Sequence, residues 1–209
     1  MDLKQAVGWR PTFWVPPCRF VIGDPSRFAG KRLLDLGSRD GGMARYFASL
    51  GAEVEACDNK PSAVAEIQAK GINAFLVDDN WDSLPVEKYD FIFTKSVLVV
   101  APDLHGALTN LRKSLRAGGE YLAVENWTFP ALEAVRFIAN RRRFSSRFCY
   151  LSESLMPEIQ SHFHSLSMKL GPMRLAVGIR ASVGETCAAD VLAATSTPNS
   201  SARIRHEGF

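Results

Sequence analysis

The chain has 209 residues and a mass of 23.1 kDa, a size that suits one α/β domain with small additions. Its formal net charge of +3, with 22% charged residues, is too balanced to require nucleic acid or an acidic membrane as a partner. The cysteines form no C-x-x-C pair, and no apolar run approaches the ~20 residues that cross a bilayer, so we expect a soluble, cytoplasmic protein with reduced thiols.

Residues 1–30 are rich in aromatic residues and proline. Because proline disrupts the interior of a helix, we expect an irregular arm that contains one short helix. Large aromatic side chains such as Trp9 and Trp14 usually pack against a core, and in this arm they would cover its side.

The segment from Lys31 to Gly42, KRLLDLGSRDGG, predicts a buried strand, a glycine-rich turn and the start of a helix. Such a turn directs free backbone N–H groups at the carboxyl end of the strand, where open α/β sheets bind ligands. Asp35, two residues before Gly37, would repel the pyrophosphate of a dinucleotide, whereas S-adenosyl-L-methionine brings an ammonium and a sulfonium group. The dinucleotide fingerprint G-x-G-x-x-G is also interrupted, because Arg39 occupies its middle glycine position.

Residues 35–41, DLGSRDG, resemble the first motif of the Rossmann-like, class I S-adenosylmethionine-dependent methyltransferases, acidic-x-Gly-x-Gly-x-Gly. Arg39 departs from this motif at the second glycine. Its guanidinium either pairs with the methionyl carboxylate or is solvated in the loop. The resemblance implies a doubly wound, mostly parallel seven-stranded sheet with a C-terminal antiparallel hairpin and helices on both faces. It also implies that the N-terminal arm folds over the cofactor and helps to close the substrate pocket.

An acidic residue follows the second predicted strand, Ala52 to Cys57. This residue, Asp58, lies about twenty residues beyond the glycine turn, the place from which a carboxylate accepts hydrogen bonds from ribose hydroxyls. It therefore indicates an adenosine ligand, and we assign Asn59 beside it to the same site. Pro61 suits the first turn of the helix that comes next.

The third predicted strand, Asn73 to Val77, runs into an acidic loop and then Leu84-Pro85. Members of the resembling family carry an acidic or amide residue four positions before such a Leu-Pro, where it binds the adenine amino group. This position is Asn80 here, and Asp79 is the alternative. Trp81 offers a flat apolar surface beside the adenine ring.

The fourth predicted strand, Tyr89 to Thr94, places Lys95 and Ser96 at its carboxyl end, where cofactor and substrate should meet. The sequence lacks the Asn/Asp-Pro-Pro-aromatic tetrad and the Pro-Cys pair of methyltransferases that modify nucleic acids or proteins, so nucleic acid is not the expected acceptor. A helix from Asp103 to Leu115 and a fifth strand from Glu120 to Glu125 follow.

Beyond the fifth strand the chain should form the substrate half of the domain. Asn126 and Trp127 leave that strand beside the expected pocket, and an arginine cluster at residues 136–147 either faces an anionic substrate or is solvated. We also expect helices over 131–143 and 151–163.

The chain should close on an antiparallel hairpin with strands at 166–170 and 173–181. His105 is expected to be exposed and not catalytic. His162 and His164 have no third ligand nearby in the sequence, so we predict no metal site.

The predicted organisation is therefore an arm at 1–30, a methyltransferase domain at 31–184 and a loosely ordered tail at 185–209. The cofactor half of the domain spans 31–125 and the substrate half spans 126–184.

The predicted reaction is methyl transfer from S-adenosyl-L-methionine to a small-molecule acceptor, by in-line displacement at oxygen or nitrogen. We name no catalytic residue, and if a base is needed, Lys95, Glu125 or a histidine could serve. The alternative is a non-catalytic partner subunit that keeps the cofactor site, and association as a homodimer or with a partner protein is left open. The predicted cofactor-binding residues are Asp35, Gly37, Ser38, Arg39, Gly41, Asp58, Asn59, Asp79, Asn80, Trp81 and Lys95, and the predicted substrate-binding residues are Trp9, Trp14, Ser96, Asn126 and Trp127.

Overall fold

The computed structural model describes residues 1–132 and 150–185, and seven strands of this part form one sheet in the order β3-β2-β1-β4-β5-β7-β6. The strands are β1 (Arg32–Leu36), β2 (Glu53–Asp58), β3 (Asn73–Leu76), β4 (Tyr89–Lys95), β5 (Leu115–Asn126), β6 (Ser165–Leu170) and β7 (Ala176–Ser182). The α-helices are α1 (Leu3–Val7), α2 (Pro11–Ile22), α3 (Gly42–Ser49), α4 (Pro61–Ala69), α5 (Leu104–Ser114) and α6 (Met156–Ser161).

The first five strands are parallel, and β7 lies antiparallel between β5 and β6. The chain winds from β1 outward through β2 to β3, then returns to β4 on the other side of β1. The predicted fold is therefore confirmed. This reversal beside β1 is the topological switch point at which open α/β sheets bind their ligands.

The sheet is covered on both faces, which explains its long apolar strands. Along β5, Tyr121 and Ala123 face a core that includes residues of α5, whereas Leu122 and Val124 face a second core that includes residues of α2. Successive side chains of a strand point to opposite faces, so a strand buried on both faces reads as a continuous apolar run.

The N-terminal arm is helical, and the expectation of an irregular segment is wrong. Pro16 and Pro17 lie inside the 12-residue helix α2, and Pro11 occupies its first turn. A proline inside a helix removes a backbone hydrogen bond and costs about 3 kcal/mol. Burial of the apolar face of α2 against β5 and β7 offsets this cost, so tertiary packing overrides the local preference. The buried residues of α2 are Trp14, Val15, Pro17, Cys18, Val21 and Ile22.

Further elements differ from those predicted in their extent. The helix expected over 151–163 is only the six residues of α6, preceded by a 3-10 turn at Glu153–Leu155. Leu151 instead forms an isolated parallel bridge with Trp127. Strand β5 begins at Leu115, before the predicted Glu120, and its register with β4 shifts between Tyr89 and Phe91.

Other predicted features lie outside the described residues. They are most of the helix expected over 131–143, the whole arginine cluster at residues 136–147, and nearly all of the expected tail. Among the described helices, none combines the length and apolar character needed to cross a membrane.

Candidate active site

A cavity of about 510 Å³ opens at the carboxyl ends of β1, β2 and β4. Its volume lies in the range of small-molecule and cofactor sites. We call the side formed by residues 35–40 and 58–60 the strand-end wall, and the side formed by residues 6–9 and 14 the N-terminal wall. The cavity lies at the switch point of the sheet, as the fold predicts.

Backbone hydrogen bonds fix the turn between β1 and α3. The N–H groups of Gly37 and Ser38 both donate to the carbonyl oxygen of Cys57, at 2.8 and 3.0 Å. Gly37 has φ 71°, and a Cβ added there would lie 2.5 Å from Cγ2 of Val97. This position therefore requires glycine for its conformation and for the close approach of the loop after β4.

Arg39 adopts φ 56°, the left-handed conformation that a glycine would adopt freely. Its backbone N–H donates to Oδ2 of Asp58 at 3.0 Å. This charge-assisted hydrogen bond offsets the cost of the left-handed conformation, which is about 1 to 2 kcal/mol. The turn thus keeps its path although the sequence departs from the family motif.

Asp58 joins the glycine turn to the end of β2. Oδ1 accepts the N–H of Lys60 at 3.0 Å, and Oδ2 accepts the N–H of Arg39. A carboxylate has about four lone-pair positions, so each oxygen can accept a further hydrogen bond. The side chain is 8% exposed and lines the cavity, where a hydroxyl group could donate to it.

Asp35, which is buried, and Lys95, which is half-buried, face the same cavity. Burial raises the pKa of Asp35 to about 6, while the hydroxyl of Ser38, which donates to Oδ2 at 2.5 Å, and the charge of Lys95 oppose that rise. Burial also lowers the pKa of Lys95, whose Nζ donates to the carbonyl oxygen of Val7 at 2.8 Å. Lys95 therefore connects the end of β4 to the end of α1.

The buried carboxylate of Glu125 holds the loop after β4 through hydrogen bonds. Its Oε1 accepts the N–H groups of Val97 and Leu98 at 3.1 and 3.2 Å and the hydroxyl of Thr94 at 3.2 Å. Burial raises the pKa of Glu125 to about 7, and among the described residues Oε2 has no hydrogen-bond partner. Glu125 does not line the cavity, so of the two named base candidates in this region only Lys95 does.

The structure brings most of the predicted site residues to this one cavity. Those that line it are Asp35, Gly37, Ser38, Arg39, Asp58, Asn59, Asp79, Trp81 and Lys95 of the predicted cofactor set, and Trp9, Trp14, Ser96 and Asn126 of the predicted substrate set.

Three predicted residues lie elsewhere. Gly41 is the N-cap of α3, with φ 72°. Asn80 is exposed, and its carbonyl oxygen accepts a hydrogen bond from the side chain of Asn110 at 3.0 Å, whereas the alternative, Asp79, lines the cavity. Trp127 is 5% exposed and belongs to the core. Its backbone N–H donates to the carbonyl oxygen of Leu175.

The end of α1 is one part of the cavity that the sequence did not predict. Ala6, Val7 and Gly8 line the N-terminal wall, and Ala6 and Val7 are buried in the core shared with α3. The one signal in the sequence was the Gly41-Gly42 pair. A Cβ added at Gly42 would lie 2.5 Å from the carbonyl oxygen of Ala6. The second glycine of the Gly41-Gly42 pair thus permits α1 to approach the start of α3.

Comparison with known proteins agrees with this geometry. Residues 34–123 match the family model described as a methyltransferase domain. Trans-aconitate 2-methyltransferase from Mycobacterium tuberculosis (strain H37Ra) is 32% identical over 120 residues, which are 55% of this chain and 45% of that protein. Residues 34–123 form a class I S-adenosylmethionine-dependent methyltransferase domain. The matched part spans slightly less than half of the curated relative.

Solved structures share the fold of this methyltransferase domain. A chain in the complex between the Haloferax volcanii Trm112 methyltransferase activator and a methyltransferase has a TM-score of 0.69 at 12% identity, covering 86% of this chain and 93% of that one. An N-methyltransferase from Haemonchus contortus, in complex with phosphomonomethylethanolamine and S-adenosylhomocysteine, has a TM-score of 0.62 at 14% identity, covering 82% and 57%. Methyltransferases of this class use S-adenosyl-L-methionine as the methyl donor.

Proposed function

We propose that the chain binds S-adenosyl-L-methionine in this cavity and transfers its methyl group to a small-molecule acceptor. The observation that carries the proposal is the acidic strand-end wall, where Asp35, Asp40 and Asp58 line one cavity beside the glycine turn. Carboxylates attract an ammonium and a sulfonium and repel a pyrophosphate. The donor and acceptor groups of this wall therefore fit S-adenosyl-L-methionine better than a dinucleotide.

Each part of the cofactor has a candidate partner on the chain. Asp58 offers free lone pairs to the ribose hydroxyls, and Asp79 can accept the adenine amino group. Asn59 donates to Oδ1 of Asp79 at 2.7 Å and so orients that carboxylate. Trp81, which is 5% exposed and lines the cavity, presents apolar surface to the adenine ring. We assign Arg39 to the methionyl carboxylate.

The acceptor is proposed to be a small carboxylic acid, methylated at oxygen. The name of the curated relative gives trans-aconitate as the acceptor of that protein. Lys95, Ser96 and Asn126 line the cavity here, and the side-chain amide of Asn126 donates to Oγ of Ser96 at 3.2 Å. The positive charge of Lys95 suits an anionic acceptor.

This acceptor also explains why the chain needs no dedicated base. When bound, S-adenosyl-L-methionine supplies an electrophilic methyl group. A carboxylate is already ionised at neutral pH, so the residues of the cavity have only to bind it, orient it and exclude water. Glu125 is buried and does not line the cavity, which agrees with a reaction that uses no general base.

A turnover assay with a panel of acceptors tests the proposal. The purified chain is incubated with S-adenosyl-L-methionine and with matched mono-, di- and tricarboxylates or primary amines, and release of S-adenosylhomocysteine is measured. We expect turnover with at least one carboxylate and none with the amine of the same skeleton. Turnover with the amines alone would contradict the proposed acceptor.

The second candidate function is that of a cofactor-binding partner subunit. It is favoured by the similarity to the chain of the Haloferax volcanii complex, and by the hydrogen bond that holds Lys95 on α1, which leaves that amine poorly placed as a base. Binding of S-adenosyl-L-methionine without turnover on any acceptor, followed by turnover after a second protein is added, would favour this candidate over the first.

A further inference from the structure

A second group of side chains with ligand chemistry lies outside the cavity. His105 is in the first turn of α5, and Glu158 and His162 belong to α6 and the residue that ends it. Glu158 and His162 are four positions apart, so they lie on the same face of the helix. None of the three lines the cofactor cavity.

Three potential donor atoms of this group converge on one point. Nε2 of His162 is 3.2 Å from Nδ1 of His105 and 3.3 Å from Oε1 of Glu158. Nδ1 of His105 is 2.7 Å from the same oxygen. Two ligands that are each about 2.0 to 2.1 Å from a tetrahedral zinc ion lie about 3.3 Å apart. Two of the three separations therefore already match that geometry, and the third, between His105 and Glu158, needs to widen by about 0.6 Å.

The geometry points to a binding site for one zinc ion, formed by His105, Glu158 and His162. Two imidazole nitrogens and one carboxylate oxygen are ligands for zinc and related late transition metals, whereas Ca²⁺ and Mg²⁺ require sets of oxygen ligands. The side chain of His105 is 71% exposed, and that of His162 is 8% exposed. The site is thus anchored on its inner side and open to solvent on its outer side, where water can supply a fourth ligand.

The metal would connect the two halves of the domain. Helix α5 precedes β5 in the cofactor half, and α6 precedes the closing hairpin of the substrate half. Apart from Ile159, which is fully buried, the six-residue helix α6 contributes no buried side chain to the core. An ion held by both helices would therefore fix α6 against the body of the domain. This role is independent of the proposed methyl transfer.

Sequence spacing alone does not indicate this site. The histidines closest together in the sequence are His162 and His164, and that pair alone predicts no metal site. The structure instead pairs His162 with His105, which is 57 positions away, and adds Glu158 from α6.

Calorimetric titration of the full chain with ZnCl₂ tests the site. The protein carries no affinity tag and is first treated with a chelator that is then removed. We expect one equivalent of zinc to bind, and Co²⁺ in place of zinc to give the visible absorption of a tetrahedral complex. His105→Ala and Glu158→Gln should each weaken binding by at least about 10- to 100-fold, the loss that follows even from changing an outer-shell partner of a metal ligand.

His164→Ala provides the matched control, because this exposed histidine lies two residues from His162 and outside the group. It should leave zinc affinity unchanged. Circular dichroism and thermal unfolding of each variant without metal establish that it is folded, and zinc should raise the melting temperature of the parent and of His164→Ala but not of His105→Ala. The inference is overturned if the parent binds no zinc, or if His105→Ala and Glu158→Gln bind it as tightly as the parent does.

Discussion

The strand-end wall and the N-terminal wall of the cavity are held in place by different kinds of interaction. Backbone hydrogen bonds and left-handed residues shape the strand-end wall, as at Gly37 and Arg39. The N-terminal wall is placed by packing of α1 and α2 on the domain and by the hydrogen bond from Lys95 to Val7. The difference teaches that a local motif specifies the first wall, whereas only the assembled fold specifies the second. Four substitutions test the interactions that hold the cavity together.

The largest expected effect concerns the support of the loop after β4. The pKa of Glu125 is raised by burial from 4.5 to about 7, so its contribution to stability is fully present below about pH 4.5 and is lost as the pH rises through 7. Glu125→Gln removes this titration. The difference in free energy of unfolding between variant and parent should therefore shift in favour of the variant by about 3 kcal/mol between pH 4.5 and pH 7.5.

Urea unfolding at several pH values measures this difference. Glu66→Gln is the control, because Glu66 is exposed on α4 and such surface changes usually alter stability by less than about 0.5 kcal/mol. A constant difference between Glu125→Gln and the parent at all pH values would show that the carboxyl is not held protonated by burial.

The next effect concerns the packing that places the N-terminal wall. A Cβ at Gly178 of β7 would lie 2.8 Å from the carbonyl oxygen of Pro17 and 3.0 Å from Cδ1 of Phe20, both on α2. Gly178→Ala should push α2 away from the sheet and destabilise the protein by about 1 to 3 kcal/mol. Gly184→Ala, whose Cβ would meet nothing closer than 3.8 Å, should be close to neutral. Equal melting temperatures for these two variants would contradict the proposed packing.

The strand-end wall is tested through Asp58. Asp58→Ala should weaken binding of S-adenosyl-L-methionine by about 1 to 3 kcal/mol, because the ribose hydroxyls lose their acceptor and the turn loses two hydrogen bonds. Asp58→Asn keeps one acceptor oxygen and should lose less affinity. Asp82→Ala, an exposed residue outside the cavity, is the control. Unchanged affinity in a folded Asp58→Ala protein would remove Asp58 from the proposed site.

The smallest effect is expected for the contact between the end of β4 and the N-terminal wall. Lys95→Met removes the hydrogen bond to Val7 but keeps an apolar stem of similar length. Binding of S-adenosyl-L-methionine should weaken by about 1 kcal/mol, because α1 is held less firmly over the cavity. Lys60→Met alters another lysine of the cavity, whose side chain makes no hydrogen bond to α1 within the described part of the chain. A loss of affinity as large for Lys60→Met as for Lys95→Met would indicate a general effect of charge.

The sequence predicts the strand-end wall well because its signals are local. Three leucines, a glycine turn and an acidic residue at the end of β2 each act within a few positions of the chain, and Asp35 and Asp58 both reach the cavity as expected. The proline-rich helix α2 could not be predicted in this way, because its stability comes from contacts with β5 and β7. The proposed adenine partner falls between these cases, since the Leu-Pro spacing selects Asn80 whereas the fold presents Asp79 to the cavity.

The contact between His105 and Glu158 is the feature that the sequence predicts least. The two residues are 53 positions apart and belong to different halves of the domain, so no local pattern connects them. Contacts of this kind depend on how the helices pack over the completed sheet.

The central claim, that the acidic strand-end wall binds S-adenosyl-L-methionine, is tested most directly by calorimetric titration. The purified chain is titrated in parallel with S-adenosyl-L-methionine, S-adenosylhomocysteine and NAD. We expect micromolar binding of the first two ligands and no binding of NAD, because carboxylates on this wall repel a pyrophosphate. Binding of NAD, or of none of the three, would contradict the claim.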